Sequence, residues 1–318
     1  MSTRIYGRRK SGGMSGWWLL VGLLFLAGCG GTRQVKSELP GGDSAYDRSS
    51  QMARTAFDNG QTAQAIEGYK KALARAYVTD NLNRIVDTGY NLAVSYLRQG
   101  AYAEALAHAQ RAQTELQTAG RPVPADLLLV QAAALYHSGD SERAWQISAD
   151  IIALAPAPAT LARTIFLRGL LAADRGDAEQ LRREIIALGE PTFPGLKADH
   201  LELTGRLAML DGRWDDAVAA LDQAARLRAE NRNYRSMATA LATAAQACEH
   251  AQRPAEAAYR YLRAARSAAL SGDPMRATAW LPEAERLAEQ AGAESILTEA
   301  RGFHELLSQE SSNRPADR

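Results

Sequence analysis

A glycine recurs at positions 60, 100, 139, 176 and 212, each time within a similar segment, and this internal repetition limits the possible folds more than any other feature. The segments are NGQTAQAIEGYKKAL from Asn59, QGAYAEALAHAQRAQ from Gln99, SGDSERAWQISADII from Ser138, RGDAEQLRREIIALG from Arg175 and DGRWDDAVAALDQAA from Asp211. The glycines are 40, 39, 37 and 36 residues apart. A unit of that size cannot bury its apolar face alone, so it must stack on its neighbours. Two residues past each glycine stand Thr62, Tyr102, Ser141, Ala178 and Trp214, followed three later by Ala65, Ala105, Ala144, Leu181 and Ala217. Four further on come Tyr69, Ala109, Ser148, Ile185 and Leu221, and three beyond those Ala72, Ala112, Ile151, Leu188 and Ala224. This spacing marks one face of a helix. Ahead of each glycine lies a small residue (Ala53, Ala93, Ala132, Gly169 or Gly205), as needed where two helices cross closely. The shared glycine suits a positive φ that ends the first helix. Asp140 and Asp177 then stand where the next helix wants an N-cap.

The run Asn91-Leu92-Ala93-x-x-Tyr96-x-x-x-Gly100-x-Tyr102-x-x-Ala105 closely resembles the consensus of the tetratricopeptide repeat family, whose period is 34 residues. The resemblance is strong over residues 46–225 and continues to Gly292 in degenerate form. It implies an all-α chain, a right-handed α-solenoid of about 6–7 helix hairpins. Composition agrees: 46% of residues are hydrophobic but only 7% aromatic, with alanine and leucine, both strong helix formers, dominating. Beyond the fifth repeat the glycine is lost. Arg253-Pro254 ends a helix begun near Tyr234, and Gly272-Asp273-Pro274 reads as stop, cap and first turn of a helix to about Ala291. A last helix is expected from Glu294 to about Leu307, leaving residues 309–318 disordered.

Before the repeats lies WWLLVGLLFLAGCGG, Trp17 to Gly31. From Trp17 to Ala27 runs an uncharged stretch too short for a bilayer, which takes about 20 helical residues. Arg4, Arg8, Arg9 and Lys10 precede it and small residues follow, the layout of an export signal. Leu26-Ala27-Gly28-Cys29 resembles the lipobox of bacterial lipoproteins; an ordinary signal peptide with an incidental cysteine is the alternative. The resemblance implies cleavage after residue 28 and lipid attachment at Cys29, with enough acyl chains for a stable anchor. Gly30, where lipoproteins kept at the inner membrane carry aspartate, implies sorting to the outer membrane with the body in the periplasm. The expected organisation is a signal peptide over 1–28, a flexible tether over 29–43, a solenoid over 44–308 and a tail over 309–318.

The chain has 37 basic and 36 acidic residues, so loss of the signal's four basic residues leaves 33 against 36, a net charge of −3. That gives no basic surplus for nucleic acid. The two cysteines are Cys29 and Cys248; with Cys29 lipidated no internal disulfide is available. Cys248 suits a packed core thiol better than a reactive one. The histidines at 108, 137, 200, 250 and 304 lie in separate units without metal-ligand spacing. Asp215-Asp216, at a helix start, suits the macrodipole. No metal, cofactor or catalytic residue is expected.

What remains is recognition along a surface. The family's first helices line a concave face, and mapping them onto this chain places Arg54, Phe57, Tyr90, Asn91, Val94, Arg98, Leu129, Tyr136, Arg163, Phe166 and Arg206 along it. Val94, Leu129 and Phe166 suit inter-helix core equally well. The list is apolar and basic, which fits a peptide carrying acidic groups. Of the clamp that grips C-terminal carboxylates in chaperone-tail binders of the family, only Asn91 is matched. The expected function is a noncatalytic scaffold for periplasmic or outer-membrane proteins in envelope assembly, with pilus or secretin assembly slightly favoured. The alternative is a glycan-binding component of polysaccharide export or peptidoglycan handling, which predicts aromatic platforms flanked by carboxylates. A hydrolase would require acid-base residues clustered around Glu249, His250 and His304. Oligomeric state is not legible.

Overall fold

The repeat glycines turn where the helices end. In a computed structural model that describes residues 43–189 and 194–312, Gly60, Gly100, Gly139, Gly176 and Gly212 have φ between +71° and +89°. Each separates the two helices of a hairpin. The first hairpin is α1 (Ser44–Asp58) with α2 (Thr62–Val78), and the second α3 (Leu82–Gln99) with α4 (Tyr102–Thr118). There follow α5 (Ala125–His137) with α6 (Ser141–Ala153), α7 (Pro158–Asp174) with α8 (Ala178–Leu188), and α9 (Pro194–Leu210) with α10 (Trp214–Glu230). The last two are α11 (Tyr234–His250) with α12 (Pro254–Leu270), and α13 (Pro274–Gln290) with α14 (Glu294–Ser312). Every described element is a helix, each packs on the next in chain order, and the fold is an α-solenoid of tetratricopeptide-like hairpins.

The small residues at the crossings are enclosed. Ala65, Ala105, Ala144, Leu181 and Ala217 are all fully buried on the second helices. Opposite them, Ala53, Ala93 and Ala132 are buried, and Gly169 and Gly205 leave no room for more. A Cβ on Gly169 would lie 2.5 Å from Leu203 Cδ1, and one on Gly205 2.6 Å from Leu221 Cγ. Asp140, Asp177 and Asp273 cap their helices, each accepting a backbone N–H from the third residue on, Arg143, Gln180 and Arg276.

The sixth hairpin keeps the turn without the glycine: Gln252 takes φ +58°, and the motif returns at Gly292 in the seventh. At the C-terminus the structure differs from expectation. α14 runs to Ser312 instead of stopping near Leu307, so residues 309–312 are helical. Nothing in the run Ser308-Gln309-Glu310-Ser311 breaks a helix, and the next proline is Pro315. Cys29, the segment around it and the end of the tail lie outside the described residues.

The first helices form an inner layer. Beyond their hairpin partners, α3 touches α5, α5 touches α7, α7 touches α9 and α9 touches α11. This layer curls until hairpins distant in sequence meet. Arg235, near the start of α11, donates to the carbonyl of Arg98 and, at 3.5 Å, to that of Gln99, at the end of α3. Arg276 of α13 lies 3.3 Å from the Tyr102 hydroxyl of α4. Asp273 holds Arg235 through Nε at 2.9 Å, and Thr239 receives Arg276 at 2.9 Å. Tyr102 in turn stacks on His137, with ring centroids 4.8 Å apart. The inner face is thereby closed on itself between the second and the sixth and seventh hairpins.

Candidate functional site: the inner face

Along the inner face, the expected residues fall into three groups. The first joins α1 to α3: Arg98 lies 4.7 Å over the Phe57 ring and donates to the Phe57 carbonyl at 2.9 Å. Arg54 is exposed in the same hairpin, close enough to act on Asp87 and Tyr69. The second group is largely packing. Tyr90 and Val94 lie against the cluster of Ala93, Ala109 and Leu127, Leu129 against that of Leu135 and Ile151, and Asn91 is half-buried between them in chain order. Val94 and Leu129 are thus partly buried against these clusters, and Phe166 is in the same position against that of Ile165 and Leu203.

The third group is a polar network on α5, α7 and α9. Tyr136 donates to Asp174 at 2.8 Å; Arg206 reaches Asp174 at 3.3 Å and Glu202 at 3.1 Å. Arg228, from the end of α10, pairs with Glu202 and, at 3.1 Å, with Asp199, while its guanidinium lies 5.9 Å from the Phe166 ring centre. Helical spacing sets Asp199, Glu202 and Arg206 on one stripe of α9. Glu202 and Arg228 are only 2% and 5% exposed. Burial pushes the Glu202 carboxyl up, but Arg228 and Arg206 outweigh it and hold it below the usual range. At Asp199 burial wins over Arg228 and the pKa is raised to about 6. Arg163 is exposed nearby and contributes to the field at Asp199.

These pairings alter the expected electrostatics. Arg206 is not a free cation: Asp174 and Glu202 neutralise it, and Asp199 adds a further carboxylate. The stretch from Tyr136 to Arg228 is charge-balanced, so the match to an acidic peptide does not carry over to it. Sequence reasoning missed these acids because it transferred only the apolar and basic positions of each first helix.

It also missed the C-terminal continuation of the face. A cleft of 690 Å³ is lined by Met209, Gln246, Glu249, His250, Tyr261, Trp280, Glu283 and Arg286. Counting back from the turns at Gln252 and Gly292, Gln246 and Arg286 hold the place that Val94 holds before Gly100, and the register could have found them. Of the residues a hydrolase would need together, Glu249 and His250 both line this cleft, where Glu249 pairs with Arg286, while His304 is not among its lining residues and contacts Glu285 at 2.7 Å. His250 stacks on Trp214 with centroids 4.9 Å apart, and Cys248, two residues away, is fully buried on another face. Burial raises the Cys248 thiol pKa. No group of three or more His, Cys, Asp or Glu among the described residues is placed to hold a metal, and no described helix is long and apolar enough to cross a membrane.

Fold and face together define a class: a solenoid of tetratricopeptide-like hairpins with an inner first-helix surface. No family model matches the chain, and no curated protein matches it. Among solved structures, a tetratricopeptide repeat protein from Parabacteroides merdae is 16% identical, over 81% of this chain and 99% of that one, with a TM-score of 0.46. A signal transduction ATPase with a tetratricopeptide repeat sensor from Pyrococcus horikoshii is 16% identical over 81% of this chain and 44% of its own, at a TM-score of 0.47. A Rap protein in complex with competence and sporulation factor is 14% identical over 87% and 78%, at 0.41. The fold assignment rests on the chain's own helix pairing.

Proposed function

We propose that this chain is a noncatalytic scaffold that holds partner proteins against its first-helix face, anchored through a lipid on Cys29 at the periplasmic side of the outer membrane. One observation carries the scaffold reading. Anchoring side chains continue along the inner layer from Phe57 and Arg98 through Tyr136, Phe166 and Arg206 to the cleft at Trp280, while the second helices bury their small residues against the core. Aromatics and arginines are the side chains that most often dominate interfaces. Because the central arginines are already paired with carboxylates, the partner segment that fits best carries both signs of charge. Anchoring is supported by the lipobox resemblance of Leu26 to Cys29, and the envelope setting by the export layout ahead of it. Within that setting, assembly of a pilus or secretin complex is the subtype favoured.

Affinity capture of the full-length lipidated protein from solubilised envelopes, with mass spectrometry of what it retains, tests both halves. One consistent set of envelope proteins, lost when Arg98 and Phe166 are replaced by alanine, supports the scaffold. Palmitate incorporation that disappears in Cys29→Ser supports the anchor. Capture indifferent to both face substitutions would remove the inner face from the account.

A further inference from the structure

The C-terminal cleft differs in chemistry from the rest of the inner face. Its 690 Å³ lies within the about 300–1,000 Å³ typical of small-molecule sites. Trp280, half-buried, supplies a flat apolar wall, and the nearly buried Tyr261 a second aromatic. Around them stand hydrogen-bonding groups of both kinds: carboxylates at Glu249 and Glu283, a guanidinium at Arg286 and an amide at Gln246. Arg286 is tied to Glu283 through Nε at 2.9 Å and Nη2 at 2.7 Å, and Nη2 also meets Glu249. The Trp214 stack holds the His250 ring in place at the rim.

This arrangement discriminates by charge. Aromatics beside carboxylates would ordinarily suit a cation. Here Arg286 already holds both carboxylates, so an incoming cation must compete with a guanidinium that is paired twice. An anion meets two carboxylates against one guanidinium. A neutral ligand with one apolar face and many hydroxyls escapes both penalties: its C–H face lies on an indole, and its hydroxyls donate to Glu249 and Glu283 and accept from Arg286 and Gln246. We infer that the cleft between α11 and α13 is a subsite for a short neutral saccharide. The inference rests on the reading of the inner face as a binding surface and gives its C-terminal end a ligand of a different class.

The test uses the full chain in a zwitterionic detergent without a sugar headgroup. Cellotetraose and chitotetraose serve as neutral probes and tetralysine as the cationic control, followed by calorimetry and tryptophan fluorescence. The expected result is saturable binding of a neutral tetrasaccharide that weakens about tenfold or more in Trp280→Ala and several-fold in Glu283→Gln. Trp280→Phe, which keeps a smaller aromatic wall, should retain most of the affinity even where the alanine variant fails to fold. No saturable signal with either saccharide, preference for tetralysine, or saccharide binding unchanged in a folded Trp280→Ala would overturn the inference. If envelope proteins are still captured when the saccharides fail, only the ligand assigned to this cleft falls; if both fail, the inner face as a binding surface falls as well.

Discussion

Single residues decide how closely the helices approach. A Cβ on Gly205 would lie 2.6 Å from Leu221 Cγ and 3.3 Å from the Ala217 carbonyl oxygen, whereas one on Gly302 would meet nothing within 4 Å. Both glycines sit in helices, so alanine improves helix propensity at each by about 1 kcal/mol. At Gly205 overpacking costs about 1–3 kcal/mol and outweighs the gain. Chemical denaturation should therefore show Gly205→Ala less stable than the parent and Gly302→Ala more stable, an opposite sign from the same substitution. Glu202 poses the complementary problem of charge. It is the shared partner of Arg206 and Arg228, and removing one member of a buried pair costs about 3–5 kcal/mol because the other charges stay behind. Glu202→Ala should lower the denaturation midpoint far more than Glu142→Ala, whose pair with Arg175 is mostly exposed and worth about 0–1 kcal/mol.

At the scale of elements, the first five hairpins were legible because two signals coincide there: the glycine that turns and the small residues that cross. Gly60 to Gly212 mark the turns; of the four positions downstream of each glycine the first is half-buried in every hairpin, and the other three are buried except where α8 shortens and leaves Ile185 half-buried. The sixth hairpin was blurred because Gln252 takes a left-handed conformation that glycine usually signals, at an intrinsic cost of about 1–2 kcal/mol for a residue with a Cβ. The end of α14 was misplaced because polarity was read as disorder, although serine, glutamine and glutamate all continue a helix. The inner face was legible as a location but not in its charge: Glu202 stands four residues before Arg206, where helix spacing alone pairs them, whereas Asp174 and Arg228 join the network only once α7, α9 and α10 are set side by side. The caps at Asp140, Asp177 and Asp273 were legible outright, those at Asp43, Asn81 and Asn233 were not, and caps bear on stability most where an element is short. α8 has 11 residues, and its Asp177 accepts the Gln180 N–H at 2.9 Å. Asp177→Ala should cost about 1 kcal/mol. Hydrogen exchange should speed up through α8 before it changes in the 17-residue α10, whose N-cap Arg213 makes no side-chain cap bond.

At the scale of the whole helical body, local hairpin packing is supplemented by one long-range contact, where Arg235 and Arg276 meet Arg98, Gln99 and Tyr102. No repeat pattern forecasts this contact, since it depends on small rotations accumulated over four hairpins. A guanidinium on the free carbonyls of a helix end is favoured by hydrogen bonding and by the helix dipole. At about 1.5–3 kcal/mol for a charged hydrogen bond, Arg235→Ala should shift the balance between closed and open forms about tenfold to a hundredfold. Small-angle scattering should then give a larger radius of gyration, and the amides near Gly100 should exchange faster while α5 to α8 stay protected. His137 makes the same contact sensitive to acid. The protein packed around its ring, then Arg276 and Arg235, push its pKa down from 6.5 to about 4, against a smaller opposing pull from Asp273. The open form, with the ordinary value, takes up a proton between these limits while the closed form does not. The closed form thus gains stability as pH rises from about 4 to 6.5 and loses it as pH falls through that window. Because His137 is itself exposed, solvent screens much of this effect and the loss falls well short of what the full shift would give. Scattering at pH 7 and pH 4.5 should show opening on acidification in the parent, and His137→Gln, which has no proton to gain, should stay closed at both. Equal opening in the two proteins would take the acid response away from His137.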